Sequence, residues 1–290
     1  MLATDAAIDL QLHTTYSDGT WAPEQLIEYL VSEQFGLVAI TDHERVDTVA
    51  ALQQLAAEKQ LSMLAAVEMS TRWRDEPVDV LCYGFDPAKN ELNDLARDVI
   101  RRQTENTREV YKNLWRKGYL SSHRQEGEKG DADEALLFPE LRRLLETPSA
   151  QQPHELVALI KQQGYEDASL GQMLTDAGFE WEVNDIAEVA HAAHRSGAVC
   201  LIAHPGRGEG YIRFDVRLLN ELRQEVPIDG LEVYYPAHTP EQIALYLEYA
   251  EKHHLLVSSG SDSHGPAKKP IKYPAALSRR LLERLGIQIA

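Results

Sequence analysis

Leu37-Val38-Ala39-Ile40-Thr41-Asp42-His43 is the stretch on which the fold turns: a run that reads as a buried strand, halted by two polar side chains. Such a run, apolar without alternation, is what a strand covered on both faces looks like, and strands of that kind belong to parallel sheets. The pattern repeats on either side. Upstream, residues 6–12 form an apolar-rich run that stops at His13, before the turn Ser17-Asp18-Gly19. A helix then begins at Pro23, whose fixed φ suits the first helical position, with Glu24 placed well against the dipole. Leu26, Ile27, Leu30 and Val31 give it an apolar face, and Gly36 ends it. Downstream come a helix over residues 47–59, a strand over 62–67 that stops at Glu68, and a strand over 78–85 that begins beside Asp79.

This alternation is interrupted once. Residues 92–117 read as one long charge-laced helix with Val99, Val110, Leu114 and Trp115 as core contacts, followed by a hydrophilic loop over 121–134 and a Pro/Ser/Gln linker over 146–153. The expected organisation is therefore one domain of residues 1–91 and 184–290, with residues 92–183 as a helical insertion that caps the site. The rhythm resumes with a helix over 184–195, a strand over 198–203 and His204-Pro205. A strand at Gly230–Tyr234, a helix over 240–254 and a strand over 255–259 follow, ending in Gly260-Ser261-Asp262-Ser263-His264.

Strands each followed by a helix make an α/β fold, either a closed barrel or a doubly wound sheet. The barrel is favoured because His13, His43, Glu68, His204 and the Asp262/His264 pair each follow directly on an apolar strand run. In a (β/α) barrel those strand ends converge on one rim. Histidine and carboxylate together form a ligand set for zinc, manganese or iron. The rim offers eight such groups: His13, Asp18, His43, Glu68, Asp79, His204, Asp262 and His264.

Composition narrows the rest. At 43% apolar and 26% charged, 290 residues are enough for a large core, and no run approaches the ~20 apolar residues of a membrane span. The first residues lack a signal-peptide pattern, and two cysteines without a CxxC support neither a disulfide framework nor a cysteine zinc site, so the cytoplasm is the expected location. The formal charge, 29 − 46 = −17, with no basic stripe, weighs against a long nucleic acid as partner.

Five segments resemble, in order, the motifs of the PHP (polymerase and histidinol phosphatase) family. They are Leu12-His13-Thr14-Thr15-Tyr16-Ser17-Asp18-Gly19, Ile40-Thr41-Asp42-His43, Val67-Glu68, Ala203-His204-Pro205-Gly206-Arg207 and Gly260-Ser261-Asp262-Ser263-His264. The likeness covers roughly residues 6–87 and 184–275 and is closest to small stand-alone bacterial members with a helical insertion. It implies a distorted (β/α)7 TIM-like barrel and a centre of two or three divalent ions, with phosphoester hydrolysis as the activity. Manganese is the favoured metal and iron, zinc or magnesium the alternatives. His13, Asp18, His43, Glu68, His204, Asp262 and His264 are the ligands the resemblance implies.

Two positions depart from the family pattern. Gln11-Leu12-His13 stands where members carry HxH, and Asp79 aligns with a second histidine, where an oxygen ligand favours manganese or magnesium over zinc. Among the remaining candidates, Arg207 is placed to clamp a phosphate bidentately and Asp42 to orient His43, while His238 or a metal-bound water are the two options for protonating a leaving alkoxide. The expected activity is hydrolysis of a small phosphorylated compound, a nucleotide or similar phosphomonoester. The alternatives are a 5'-3' exonuclease on RNA or DNA ends, a histidinol-phosphate phosphatase, and a binding module weakened in catalysis by Gln11.

Overall fold

The computed structural model describes residues 1–120, 139–208 and 210–290, so the hydrophilic loop expected over 121–134 lies outside the described residues. The chain divides into two compact units, residues 1–97 with 183–290, and residues 98–182. The described strands are β1 (Ala7–Asp9), β2 (Leu37–Val38), β3 (Ala66–Trp73), β4 (Glu76–Tyr83), β5 (Asn184–Asp185), β6 (Val199–Ile202), β7 (Gly230–Tyr234), β8 (Leu256–Ser259) and β9 (Tyr273–Pro274). The described helices are α1 (Pro23–Ser32), α2 (Val49–Glu58), α3 (Leu92–Arg116), α4 (Pro139–Glu146), α5 (Gln152–Gln162), α6 (Asp167–Asp176), α7 (Ile186–Arg195), α8 (Val216–Glu225), α9 (Pro240–His253) and α10 (Arg279–Arg284).

In the first unit, hydrogen bonding orders the strands as β5-β3-β4-β6-β7-β8 in one sheet and β2-β1-β9 in another. Isolated parallel bridges at Leu12↔Ser263, Val38↔Met63 and His43↔Glu68 join segments of one sheet to segments of the other. The fold is mixed α/β and rich in parallel pairs, with β1/β2, β3/β5, β6/β7 and β7/β8 all parallel. The ladders do not form one closed ring, and the expectation of parallel neighbours throughout fails at β4, which runs antiparallel to both β3 and β6. The cause is a two-residue hairpin: Arg74 and Asp75 take φ of 50° and 68° between the paired Trp73 and Glu76. Two successive left-handed residues fit the strand twist, but Arg-Asp lacks the Asn-Gly signature that betrays such turns.

Both faces of the large sheet are buried, as the uninterrupted apolar runs imply. Val80 and Cys82 on β4, with Cys200 and Ile202 on β6, pack outward with Val189, Ala190 and Ala193 of α7 and Leu219 and Leu222 of α8. The alternate residues, Leu81 and Tyr83 with Val199 and Leu201, pack inward with Ile8 and Leu10. The same period of two puts Glu68 and Asp79 on the inward face, where they are 1% and 4% exposed. That is why β3 does not stop at Glu68 as expected: the acid is an inward position of a continuing strand.

Helix starts follow the local chemistry. Pro23 opens α1, the Asp185 side chain accepts from the Ala187 and Glu188 amides at the head of α7, and Thr239 with Gln242 forms a capping box on α9. The unit boundary falls inside α3 and not at its start, because Leu92 and Ala96 belong to the first unit's core. In the second unit, Val110, Leu114, Leu141, Leu144, Leu156, Ile160, Leu170 and Met173 make a separate helical core. No helix among the described residues is long and apolar enough to cross a membrane.

Candidate metal centre

The eight expected ligands all come together. Their donor atoms fall into three groups, each with all atoms within 4.8 Å of one another: His13, Asp18, His43 and His264; His13, Glu68 and Asp262; Glu68, Asp79 and His204. Glu68 joins the last two groups, with one carboxylate oxygen 3.0 Å from His13 Nε2 and the other 3.1 Å from His204 Nε2. His13 joins the first two, with Nδ1 3.4 Å from Asp18 and Nε2 3.3 Å from Asp262.

Local structure explains the placement. His13 and Asp18 sit on a turn gathered by Asp42, whose carboxylate accepts from Thr14 N at 2.6 Å, Thr14 Oγ1 at 2.7 Å and Ser17 Oγ at 2.6 Å. Gly19 closes that turn, where a Cβ would lie 2.6 Å from the His13 carbonyl carbon. Asp42 was expected to orient His43. Instead Ser70 Oγ meets His43 Nδ1 at 3.2 Å, and Asp42 holds the neighbouring turn. His204 and Asp262 adopt left-handed backbone, with φ of 28° and 52°, a strained conformation that persists only where the surroundings enforce it.

The donor set fits a cation. His13 is fully buried, yet neither ring nitrogen makes an aligned hydrogen bond to the carboxylates around it, and Asp79 Oδ2 is also buried and unpartnered. Polar atoms so enclosed are costly unless something between them is bound. Charge follows the geometry. Burial opposes protonation of His43, but Glu68 and Asp18 outweigh it and raise the pKa to about 9. Burial alone would raise Asp262, but the His13 imidazole 3.3 Å away brings it down to about 2. Burial, then the Glu68 charge, raise Asp79.

Gln11 faces the cluster as a donor: its Nε2 hydrogen-bonds Glu68 Oε2 at 2.9 Å, while Oε1 is buried without a partner. Arg207 is half-buried with its guanidinium carbon 4.6 Å from the Tyr211 ring centre. Burial works against its charge, but Tyr211, Tyr235, Asp262 and Asp79 raise its pKa. His238 is tied to the backbone through both ring nitrogens, Nδ1 to Val233 O at 2.9 Å and Nε2 accepting from Gly206 N at 3.0 Å.

Three residues near the cluster escape sequence reasoning. Glu232, fully buried, accepts from His204 N at 2.9 Å; an acid inside the apolar run of β7 was its only sequence signal. Tyr235 donates to Asp262 at 3.4 Å, and Lys268 Nζ stands 3.6 Å from the same carboxylate.

Imidazoles and carboxylates brought together from the strands of an α/β unit and the turns that follow them make a donor set suited to a metal-dependent hydrolase. The chain belongs to the PHP domain family, whose profile matches residues 9–285. It is 26% identical over 267 residues to a 3',5'-nucleoside bisphosphate phosphatase of Chromobacterium violaceum, covering 91% of this chain and 89% of that protein. It is 26% identical over 272 residues to the 5'-3' exoribonuclease Rnm of Salmonella typhimurium, covering 89% and 85%. A phosphoribosyl 1,2-cyclic phosphate 1,2-diphosphodiesterase of Eggerthella lenta is 25% identical over 262 residues, covering 89% and 94%. All three relatives are phosphoesterases. Among solved structures, an amidohydrolase from Chromobacterium violaceum shares the fold with a TM-score of 0.70 at 22% identity, over 96% of this chain and 97% of that one.

Proposed function

We propose that this protein is a metal-dependent phosphoesterase that hydrolyses a small phosphorylated compound, a nucleotide or similar phosphomonoester. The observation that carries the reading is the sharing of buried Glu68 between two of three adjacent donor groups, the arrangement needed to hold ions side by side. Divalent ions held there supply an activated water and neutralise charge on the transferring phosphoryl group. The chain's own residues do the rest. Arg207 binds phosphoryl oxygens through its planar guanidinium. Gln11 holds the shared carboxylate in place by donating to it, and Asp42 keeps His13 and Asp18 on one turn. Asp79, an oxygen donor, supports manganese over zinc as the resident metal, in two or three sites. The bridges between the two sheets support reading them as one distorted seven-stranded barrel, and buried, free Cys82 and Cys200 support a cytoplasmic setting.

A second reading, 5'-3' exonuclease action on RNA ends, draws support from the Salmonella typhimurium relative. The net charge of −17 opposes it, because the overall charge repels a long polyanion, whereas a single phosphate would meet mainly the divalent ions held at the cluster. Turnover of p-nitrophenyl phosphate, nucleotides and a 5'-phosphorylated RNA oligomer, each with and without Mn2+, separates the two. Mn2+-dependent release of phosphate from the small compounds is expected, and Arg207→Ala should raise KM roughly 10-fold or more. Mn2+ binding without hydrolysis of any of the three would sink the hydrolytic reading.

A further inference from the structure

The turn that carries His204 and Arg207 is held at almost every backbone polar group. His204 N donates to Glu232, Arg207 N closes back on His204 O at 3.0 Å, and Phe214 N reaches Pro205 O at 2.9 Å. The apex, Gly206, is gripped from both sides by the loop after β7 and the first turn of α9. Its N–H donates to His238 Nε2 at 3.0 Å, and its carbonyl accepts from Gln242 Nε2 at 2.9 Å. The grip is close enough that a Cβ on Gly206 would lie 2.5 Å from Gln242 Nε2 and 2.9 Å from His238 Cδ2.

Each clamp residue is itself fixed by its other end. His238 Nδ1 donates to Val233 O, so the ring presents a lone pair at Nε2 towards Gly206. Gln242 Oε1 accepts from Thr239 N at 2.8 Å in the capping box of α9, so the amide has only its NH2 free for Gly206. One side chain thus caps a helix and pins the apex of a turn. What the turn must hold is the left-handed His204 backbone, which is unfavourable for a residue with a Cβ and relaxes once its restraints are removed.

We infer that His238 and Gln242 are positioning residues that clamp the Gly206 peptide and so keep His204 aimed at Glu68 and Asp79 for metal binding. The inference rests on the metal-centre reading above, and it assigns His238 to holding the turn and not to proton transfer. Partners that orient a ligand from behind typically cost 10–100-fold in metal affinity when removed.

Helix capping and clamping are separable. Gln242→Glu keeps an acceptor for Thr239 N but sets a carboxylate oxygen against the Gly206 carbonyl. Thr239→Val removes the side-chain cap and leaves the clamp. Calorimetric titration with Mn2+ should show affinity roughly 10-fold weaker for Gln242→Glu, with a melting temperature close to wild type. Thr239→Val should show the reverse, a lower melting temperature and wild-type Mn2+ affinity. His238→Phe should follow Gln242→Glu. If it does not fold, the Gln242→Glu and Thr239→Val pair still decides. Wild-type Mn2+ affinity in Gln242→Glu, or equal weakening in Gln242→Glu and Thr239→Val, overturns the clamp. A wild-type protein that takes up no Mn2+ overturns the metal centre and the clamp with it, whereas Mn2+ uptake without hydrolysis overturns only the phosphoesterase reading.

Discussion

Replacing Asp42 tests how the centre is held. Its carboxylate is 3% exposed and accepts three hydrogen bonds, two from Thr14 and one from Ser17. A hydrogen bond to a charged group contributes about 1.5–3 kcal/mol net, so the three sum to roughly 4.5–9 kcal/mol if independent. They are not independent, because all lie in one short turn, and the freed hydroxyls regain water once it loosens. Asp42→Ala is therefore expected to cost about 3–5 kcal/mol, near the top of the range for single substitutions. For a chain of this size that lowers the melting temperature by roughly 6–10 °C. Because the turn carries His13 and Asp18, Mn2+ affinity should fall together with stability, by ~10-fold or more. Asp42→Asn retains one acceptor oxygen and should lose about half as much. Differential scanning calorimetry and Mn2+ titration on the same samples make the measurement. A melting temperature within ~2 °C of wild type and unchanged Mn2+ affinity in Asp42→Ala would show the reasoning to be wrong. The turn would then be held by its own backbone, through Ser17 N and Gly19 N on Thr14 O.

Two further outcomes are expected. In the chelated protein, His43 has its pKa raised from 6.5 to about 9, so its contribution is complete below pH 6.5 and disappears as pH rises through 9. That amounts to roughly 3 kcal/mol. The melting temperature should therefore fall over this window and flatten in His43→Gln, while Mn2+ binding, which needs neutral imidazole, should tighten with rising pH. A chelated protein with no such fall would remove the electrostatic account of the cluster. Gln11→His puts a nitrogen ligand where an amide now donates to Glu68, and should raise Mn2+ stoichiometry or affinity. Unchanged titration would leave Gln11 as a hydrogen-bond donor alone.

Much of the centre was legible because most of its ligands follow directly on an apolar run, whereas Asp18, in a polar turn, was named through the family resemblance. His13, His43, His204 and Asp262 could be read as strand ends from the change of polarity alone. Glu68 was found for the same reason and Asp79 through its position at a strand start that aligns with a family histidine, although their role as inward residues of an antiparallel hairpin was not. The hairpin depends on left-handed Arg74 and Asp75, a conformation their residue types do not advertise. Contacts made across long sequence separations left no local trace. Glu232 reaching His204, Lys268 reaching Asp262 and Gln242 reaching Gly206 depend on how the strands and loops are assembled, and no periodicity encodes that.

The two-sided contacts of His13 carry one more consequence. A neutral imidazole has a single lone pair, so His13 can donate electrons to only one of the two groups it touches while its other nitrogen keeps a proton. Nδ1 faces Asp18 and Nε2 faces Glu68 and Asp262. The tautomer of one buried ring would thus decide which of two adjacent donor groups offers a nitrogen to a cation. With Nε2 bare, the group around Glu68 and Asp262 gains its nitrogen and the Asp18 group is left with His43 and His264. With Nδ1 bare, the allocation reverses. Were ions held at both positions, their occupancy would be linked through that single proton.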